Sequence, residues 1–353
     1  MIYERLPSPS PSPSPSATSL NTNPGTGDAH SKATYAAGAA VALTSNALYP
    51  LYSLGLREEL DAISCETARI KIWRAWGDAG KYRYCQQLNN PNWQEDLGTN
   101  LRVVERANLQ RLVLDRVLEL GGDVVWEKTV SDVKSIGGSG KMRVCFEGGE
   151  EVSADLVVGA DGGWSVVRRG IMEGEKGEKW KPVFAYADGI YGVSKPIENP
   201  RVLEGEDEMK DGDTHWVLLD SGTASTWALP GGRQFWTISF ASNIPPARTS
   251  GGDGMQKQAV VKLYGADLNL GGYGLEETQQ ILKSYERAFH PIAGSFEELY
   301  RRSERIVRAP IWYHAWEENE IWRQNVVTIG DASRLMLPTS GQGRLTLLSI
   351  LHS

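Results

Sequence analysis

The apolar positions of this chain gather into short β-branched runs that stop at Gly and Asp. Val326-Val327-Thr328-Ile329-Gly330-Asp331 is one such run, and Asp155-Leu156-Val157-Val158-Gly159-Ala160-Asp161-Gly162 is another. Each reads as a buried strand that delivers a carboxylate at its carboxyl end. Turn-forming residues follow both: Gly162-Gly163 after the first carboxylate in chain order, Pro338 and Gly341-Gln342-Gly343 after the second. Glycine backbone carries no side chain, so its amides can come close to a flat ligand. A strand-turn-helix junction with an Asp N-cap produces the same local pattern in any α/β protein. One such run therefore leaves both readings open.

Elsewhere the period changes. Leu109, Leu112, Val113, Val117 and Leu120 recur at helical spacing, and Gly121-Gly122 closes that helix. Trp216-Val217-Leu218-Leu219 and Phe235-Trp236-Thr237-Ile238-Ser239-Phe240 read as strands of an antiparallel sheet. Pro7-Ser8 repeats through Pro15-Ser16 and runs into a Thr-, Asn-, Gly- and Ser-rich stretch ending at Ser31. Such a tract has nothing to bury and is expected to be extended and disordered. It has no apolar core and is not a signal peptide.

Composition narrows the class. A chain of 353 residues with 41% hydrophobic and 23% charged residues suits a globular protein of about two domains. A formal charge of −7 with mixed distribution argues against nucleic acid as a partner. Cys65, Cys85 and Cys145 are scattered, as are five histidines, so neither a disulfide framework nor a metal site is expected. No apolar run approaches the roughly 20 residues that span a bilayer. The final Leu345–Leu351 stretch is far shorter.

The two Gly-Asp runs together are more specific than either. Gly159-Ala160-Asp161-Gly162, with Ser165 and Arg168 opening the next helix, resembles the Asp-Gly motif of FAD-dependent monooxygenases, the group of aromatic hydroxylases and fungal terpenoid epoxidases. Gly330-Asp331 with Pro338 and Gly341-Gln342-Gly343 resembles the same family's second flavin motif. The family's opening Gly-x-Gly-x-x-Gly is absent, since Gly25-Thr26-Gly27 lacks the third glycine and follows the Pro/Ser tract. Met1-Ile2-Tyr3-Glu4-Arg5 instead resembles the end of the family's second strand, whose Glu holds the adenosine ribose. Gly38 to Leu48, then Leu54-Gly55-Leu56, resemble the small-residue turn and helix that come next. On this alignment the chain is shortened at both ends, without the first strand, the pyrophosphate loop and the first helix.

The resemblance implies an α/β fold: a doubly wound, Rossmann-like FAD-binding sheet, incomplete at its N-terminus, with an inserted antiparallel-sheet substrate domain. The implied divisions are 1–170 and 301–353 for the FAD-binding domain, with the disordered insert at 7–31, and 171–300 for the substrate domain. Cofactor contacts fall to Glu4, Gly38, Ala40, Arg106, Asp161, Asp331, Gly341, Gly343 and Arg344. Arg106 sits at a helix amino end, where the dipole disfavours a cation and a polar or anionic partner would suit it. Glu4 is expected to end a strand in the sheet that carries Asp161, and Asp161 and Asp331 to come together in space. No residue declares itself as a catalytic acid or base.

The implied activity is oxidation of a small organic substrate (a phenol, polyene or terpenoid) with FAD, NAD(P)H and O2, by hydroxylation or epoxidation. The protein's share is placement and electrostatics. Amides at Gly341–Gly343 would stabilise negative charge on the reduced flavin ring. The Pro/Ser insert and the family type suggest fungal secondary metabolism by analogy. An intracellular, cytoplasmic location is expected, with membrane association through a missing C-terminal part left open. Two alternatives stand beside this reading. One is a truncated, non-catalytic relative with impaired FAD binding. The other is a flavin-dependent halogenase, whose Trp-x-Trp-x-Ile-Pro motif Ser225-Thr226-Trp227-Ala228-Leu229-Pro230 matches only in the second tryptophan and the proline.

Overall fold

A computed structural model describes residues 1–9, 40–67, 69–76, 81–89, 98–172, 179–198, 212–246 and 261–337. It is an α/β protein with several separate sheets. The chain divides into two compact units, one from Met1–Gly38, Arg106–Lys181 and Trp316–Ser333, the other from Ala39–Glu105, Pro182–Ala315 and Arg334–Ser353. Among the described residues no helix is long and apolar enough to cross a membrane. The Pro/Ser tract beyond Pro9 lies outside the described residues, as do Gly38, Pro338, Gly341, Gly343 and Arg344.

In the first unit, Val157–Gly159 pairs in parallel with Val326–Thr328, which pairs antiparallel with Trp322–Arg323. The two β-branched runs of the sequence are thus neighbouring strands that end on the same side. Beside them, Val130–Ile136, Lys141–Phe146 and Glu151–Ala154 form a three-stranded antiparallel sheet. Val133, Phe146, Val167 and Val326 build a shared apolar core. Ile2–Tyr3 pairs in parallel with Val124–Val125. Glu4 therefore does end a strand, but in its own two-stranded ladder and not in that of Val157–Gly159. Tyr3 and Val157 nevertheless pack on the same core.

The spaced leucines form the helix Arg106–Glu119. Gly121 takes φ +78°, and Gly122 N donates to Val117 O at 2.8 Å, which satisfies a carbonyl of the last turn.

The second unit is built on one large sheet. Its central strands Val183–Ser194, Arg233–Ala241, Gly222–Leu229 and Asp213–Leu218 are antiparallel neighbours. Arg69–Trp76 extends that sheet in parallel beside Asp213–Leu218, and Lys81–Asn89 adds to it antiparallel. This is why Ala39–Glu105 groups with the later segments, whereas the sequence division placed it with residues 1–170. The helices Leu275–Tyr285 and Phe296–Arg302 contribute Leu282, Phe296 and Leu299 to a core with Trp73, Trp236 and Ile238.

The turn and helix expected from Gly38 onward are also corrected. Ala40–Leu43 is a strand, antiparallel to Arg102–Glu105, and the helix starts later, at Ser45–Ser53. Cross-strand pairing of Val41 with Val104, and burial of Leu43 to 2% exposure, outweigh the helix propensity of the alanines.

Gly159 is where strand and helix meet in the first unit. A Cβ there would sit 2.6 Å from Val167 Cβ. Gly159→Ala is expected to destabilise this unit by about 1–3 kcal/mol, and to cost less in a Val167→Gly background, where the facing Cβ is gone. Urea unfolding of the single and double variants checks this; equal stability of Gly159→Ala and wild type would refute it.

Candidate functional site

Adjacent parallel strands present their following loops side by side. Gly159 is in register with Thr328, and Ile329 N donates to Gly159 O at 2.9 Å. Asp161 and Asp331 follow within two and three residues of that register, so both carboxylates leave the sheet at its carboxyl edge. Asp331 lies in a single 3-10 turn, Gly330–Ala332, and is exposed. Gly330 takes φ +59°, a region that favours glycine, and this lets the chain turn sharply before the carboxylate.

Asp161 is exposed as well, and its carboxylate is held at a helix start. Its Oδ2 accepts from Val166 N at 2.7 Å and Val167 N at 3.2 Å, and its Oδ1 accepts from Ser165 Oγ at 2.5 Å. Ser165 Oγ in turn accepts from Arg168 N at 2.9 Å. Both oxygens of Asp161 are engaged at the amino end of the helix Val166–Ile171. The N-cap of this helix is Ser165, not the Asp of the Gly-Asp run; Asp161 takes up the free N–H groups of the first two helical residues from outside.

Arg168 links the two loops. Its side chain is fully buried, donating from Nη2 to Gly163 O at 2.6 Å and Trp180 O at 2.5 Å, and from Nε to Trp180 O at 3.1 Å. Nη1 donates to Ala332 O, the residue after Asp331. The guanidinium lies 3.4 Å from the ring centre of Trp316, whose Nε1 donates to Lys179 O at 3.0 Å. Burial holds its pKa down to about 10, against the pull of Asp161 and Glu320, so it is charged at neutral pH.

Glu4 is half-buried, and its Oε1 accepts from Leu6 N at 3.0 Å. Arg106 is exposed as the first residue of its helix, and no side chain among the described residues pairs with it. Ala40 lies in the second unit, in register with Glu105. Glu105 is itself held by Arg233.

Comparison with known proteins shows what this architecture is similar to. The FAD-dependent monooxygenase pytG of Aspergillus terreus is 28% identical over 244 residues, 65% of this chain and 66% of that protein. The FAD-dependent monooxygenase pynG of Aspergillus niger is 22% identical over 334 residues, 87% of this chain and 66% of that protein. The chain's curated relatives are FAD-dependent monooxygenases. Each match spans just under two thirds of the relative's length. No family model matches the chain. In fold it is similar to HpxO of Klebsiella pneumoniae complexed with FAD and uric acid, with a TM-score of 0.61 at 18% identity over 88% of this chain and 68% of the other.

Within that family frame, the donor set suits a flavin dinucleotide in part. The exposed Asp331 can accept from hydroxyls, the exposed Arg106 can meet a polar or anionic group, and Glu4 keeps a carboxylate near a strand end. Asp161 is exposed, but three of the roughly four acceptor positions of its carboxylate are taken up at the helix start. Sequence reasoning placed Arg168 at a helix start and gave it no role. Its own segment offers no signal, since Arg168 and Arg169 are adjacent and only the first is buried.

Proposed function

We propose that the protein is an FAD-dependent monooxygenase that uses NAD(P)H and O2 to hydroxylate or epoxidise a small organic molecule such as a phenol, polyene or terpenoid. The observation that carries this reading is the pair of parallel strands whose adjoining ends bear Asp161-Gly162 and Gly330-Asp331, in a chain whose relatives are named FAD-dependent monooxygenases. Ligands of open α/β sheets bind outside strand ends of this kind. Fungal secondary metabolism fits the two Aspergillus relatives.

Bound flavin would supply the redox chemistry and the activation of oxygen. The chain's own residues bind and orient it. Asp331 would accept from ribityl hydroxyls, Glu4 from the adenosine ribose, and Arg106 would donate to the cofactor's polar atoms. Gly341 and Gly343 would offer backbone amides to the ring, with Gly38, Ala40 and Arg344 completing the contacts. Asp161 would contribute indirectly, by fixing the start of the helix Val166–Ile171.

Titration of the purified chain with FAD, followed by flavin fluorescence, tests the reading, and NAD(P)H oxidation with candidate phenols and polyenes tests the activity. Asp331→Ala is expected to raise the FAD dissociation constant about tenfold or more, since a hydrogen bond to a charged acceptor is worth about 1.5–3 kcal/mol. Failure of the wild-type chain to bind FAD would favour the non-catalytic reading. Equal affinity of Asp331→Ala and wild type would remove Asp331 from the site.

A further inference from the structure

A buried arginine in this protein has no access to a ligand, yet it grips the turn that bears the exposed carboxylate. Four N–H donations from Arg168 go to three backbone carbonyls, those of Gly163, Trp180 and Ala332. A guanidinium has five N–H groups, so little donor capacity is left for anything else. Its side chain is fully buried, and one face of the guanidinium is covered by Trp316. A direct anion-binding role is therefore closed to it.

The carbonyls come from three segments of the first unit, one of them far away in sequence. Ala332 is 164 positions from Arg168, Trp180 is 12 away and Gly163 is 5 away. Within the Gly330–Ala332 turn, Ala332 N donates to Ile329 O, and Ser333 N and Ser333 Oγ both donate to Gly330 O. Those bonds shape the turn but do not anchor it. Arg168 holds it from outside at Ala332 O, directly after Asp331, while a second arm holds the Asp161-Gly162-Gly163 loop.

We propose that Arg168 is a positioning residue for Asp331, locking the Gly330–Ala332 turn against the Gly163 loop so that the Asp331 carboxylate is presented in one place. Its effect on FAD rests on the function proposed above; the anchoring itself does not. Lysine cannot replace it, because one ammonium cannot reach three divergent carbonyls with planar geometry. Trp316 serves the same end by stacking on the guanidinium and restricting its plane.

Two measurements on the full chain test this. Amide hydrogen exchange of the flavin-free protein is compared for wild type and Arg168→Lys. Exchange at Ala332 and Ser333 is expected to rise about tenfold or more, with the amides of the Lys141–Phe146 strand unchanged. The second measurement is a cycle of FAD affinities for Arg168→Lys, Asp331→Ala and the double variant. Arg168→Lys alone should weaken binding about tenfold, and in the Asp331→Ala background it should weaken it by less than about twofold, because there is no carboxylate left to position. A residue that only supports the fold would give additive losses. Additive losses, or unchanged exchange at residues 330–333, would overturn the proposal. If Arg168→Lys does not fold, Trp316→Leu is read in the same two ways, with the same outcomes for and against. If the wild type binds no FAD, the monooxygenase reading fails, and the exchange result alone decides the anchoring.

Discussion

Replacing Asp188 with alanine is expected to cost the second unit about 3–5 kcal/mol of stability, because it strands a buried cation. Asp188 and Arg308 are both fully buried on the neighbouring strands Val183–Ser194 and Ser303–Ala315. Arg308 Nη2 and Nε donate to Asp188 Oδ2 at 2.7 and 3.2 Å. The guanidinium also donates to Glu277 Oε1 at 2.8 Å and to Thr278 Oγ1 at 3.2 Å, and lies 3.6 Å from the ring centre of Tyr273. Tyr273 donates its hydroxyl proton to Asp188 Oδ1. Burial, and then Asp188, push the Tyr273 hydroxyl well above its ordinary pKa, which keeps it a donor.

Without Asp188, Tyr273 loses its acceptor and Arg308 is left with Glu277, a half-exposed partner. Removing both charges should be milder than removing one, since no unpaired ion remains. Urea unfolding of Asp188→Ala, Arg308→Met and the double variant measures this. A loss below about 1 kcal/mol in Asp188→Ala would refute the reading, as would a double variant less stable than either single one.

The second large effect is acid sensitivity. His215 is held down to about 4 from its ordinary 6.5, mainly by burial; Asp213 opposes the shift, while Lys71 and Arg69 add to it. Burial and the nearby His215 hold His290 well below the ordinary value. Both rings use Nδ1 as an acceptor: His215 from Trp73 Nε1 at 3.2 Å, His290 from Ala293 N at 2.9 Å. A proton on either Nδ1 would face an N–H donor, which adds a local reason for the neutral form.

The sign follows from proton counts. Below pH 6.5 the unfolded chain takes up protons that the folded His215 refuses, so stability falls as pH falls, down to about pH 4. At about 1.4 kcal/mol per pH unit, His215 alone removes roughly 2 kcal/mol between pH 6.5 and about pH 5, and His290 acts in the same direction. Urea unfolding of wild type and His215→Gln at a series of pH values measures the difference. The gap between them should shrink by roughly 2 kcal/mol on going from neutral pH to about pH 5. A gap that does not change with pH would show that His215 is not neutral in the folded protein.

Local pattern was enough for the elements on which the candidate site stands. The β-branched runs ending at Gly159 and Thr328 form strands, and the leucine spacing of 106–119 forms a helix, because burial on one face repeats at the period of each element. Two motifs in one chain also made the resemblance to FAD-dependent monooxygenases legible, since each restricts backbone as well as side chain. Other features depended on partners distant in sequence. Ala40–Leu43 became a strand because Arg102–Glu105 offers it an edge, which no window around residue 40 contains. Arg69–Trp76 joined the second unit through Asp213–Leu218, more than a hundred residues on.

The roles of individual charges divided in the same way. That Asp161 and Asp331 end strands could be read from their own segments. That Asp161, though exposed, is engaged at a helix start was set by the turn after it, which brings the Ser165 hydroxyl and the amides of Val166 and Val167 onto its carboxylate. Arg168, Asp188 and Arg308 have ordinary sequence neighbours, and nothing in their spacing marks them as buried. Their partners lie up to 164 positions away. A charge is stable inside a protein only where acceptors converge on it, and that convergence exists only after the chain has folded.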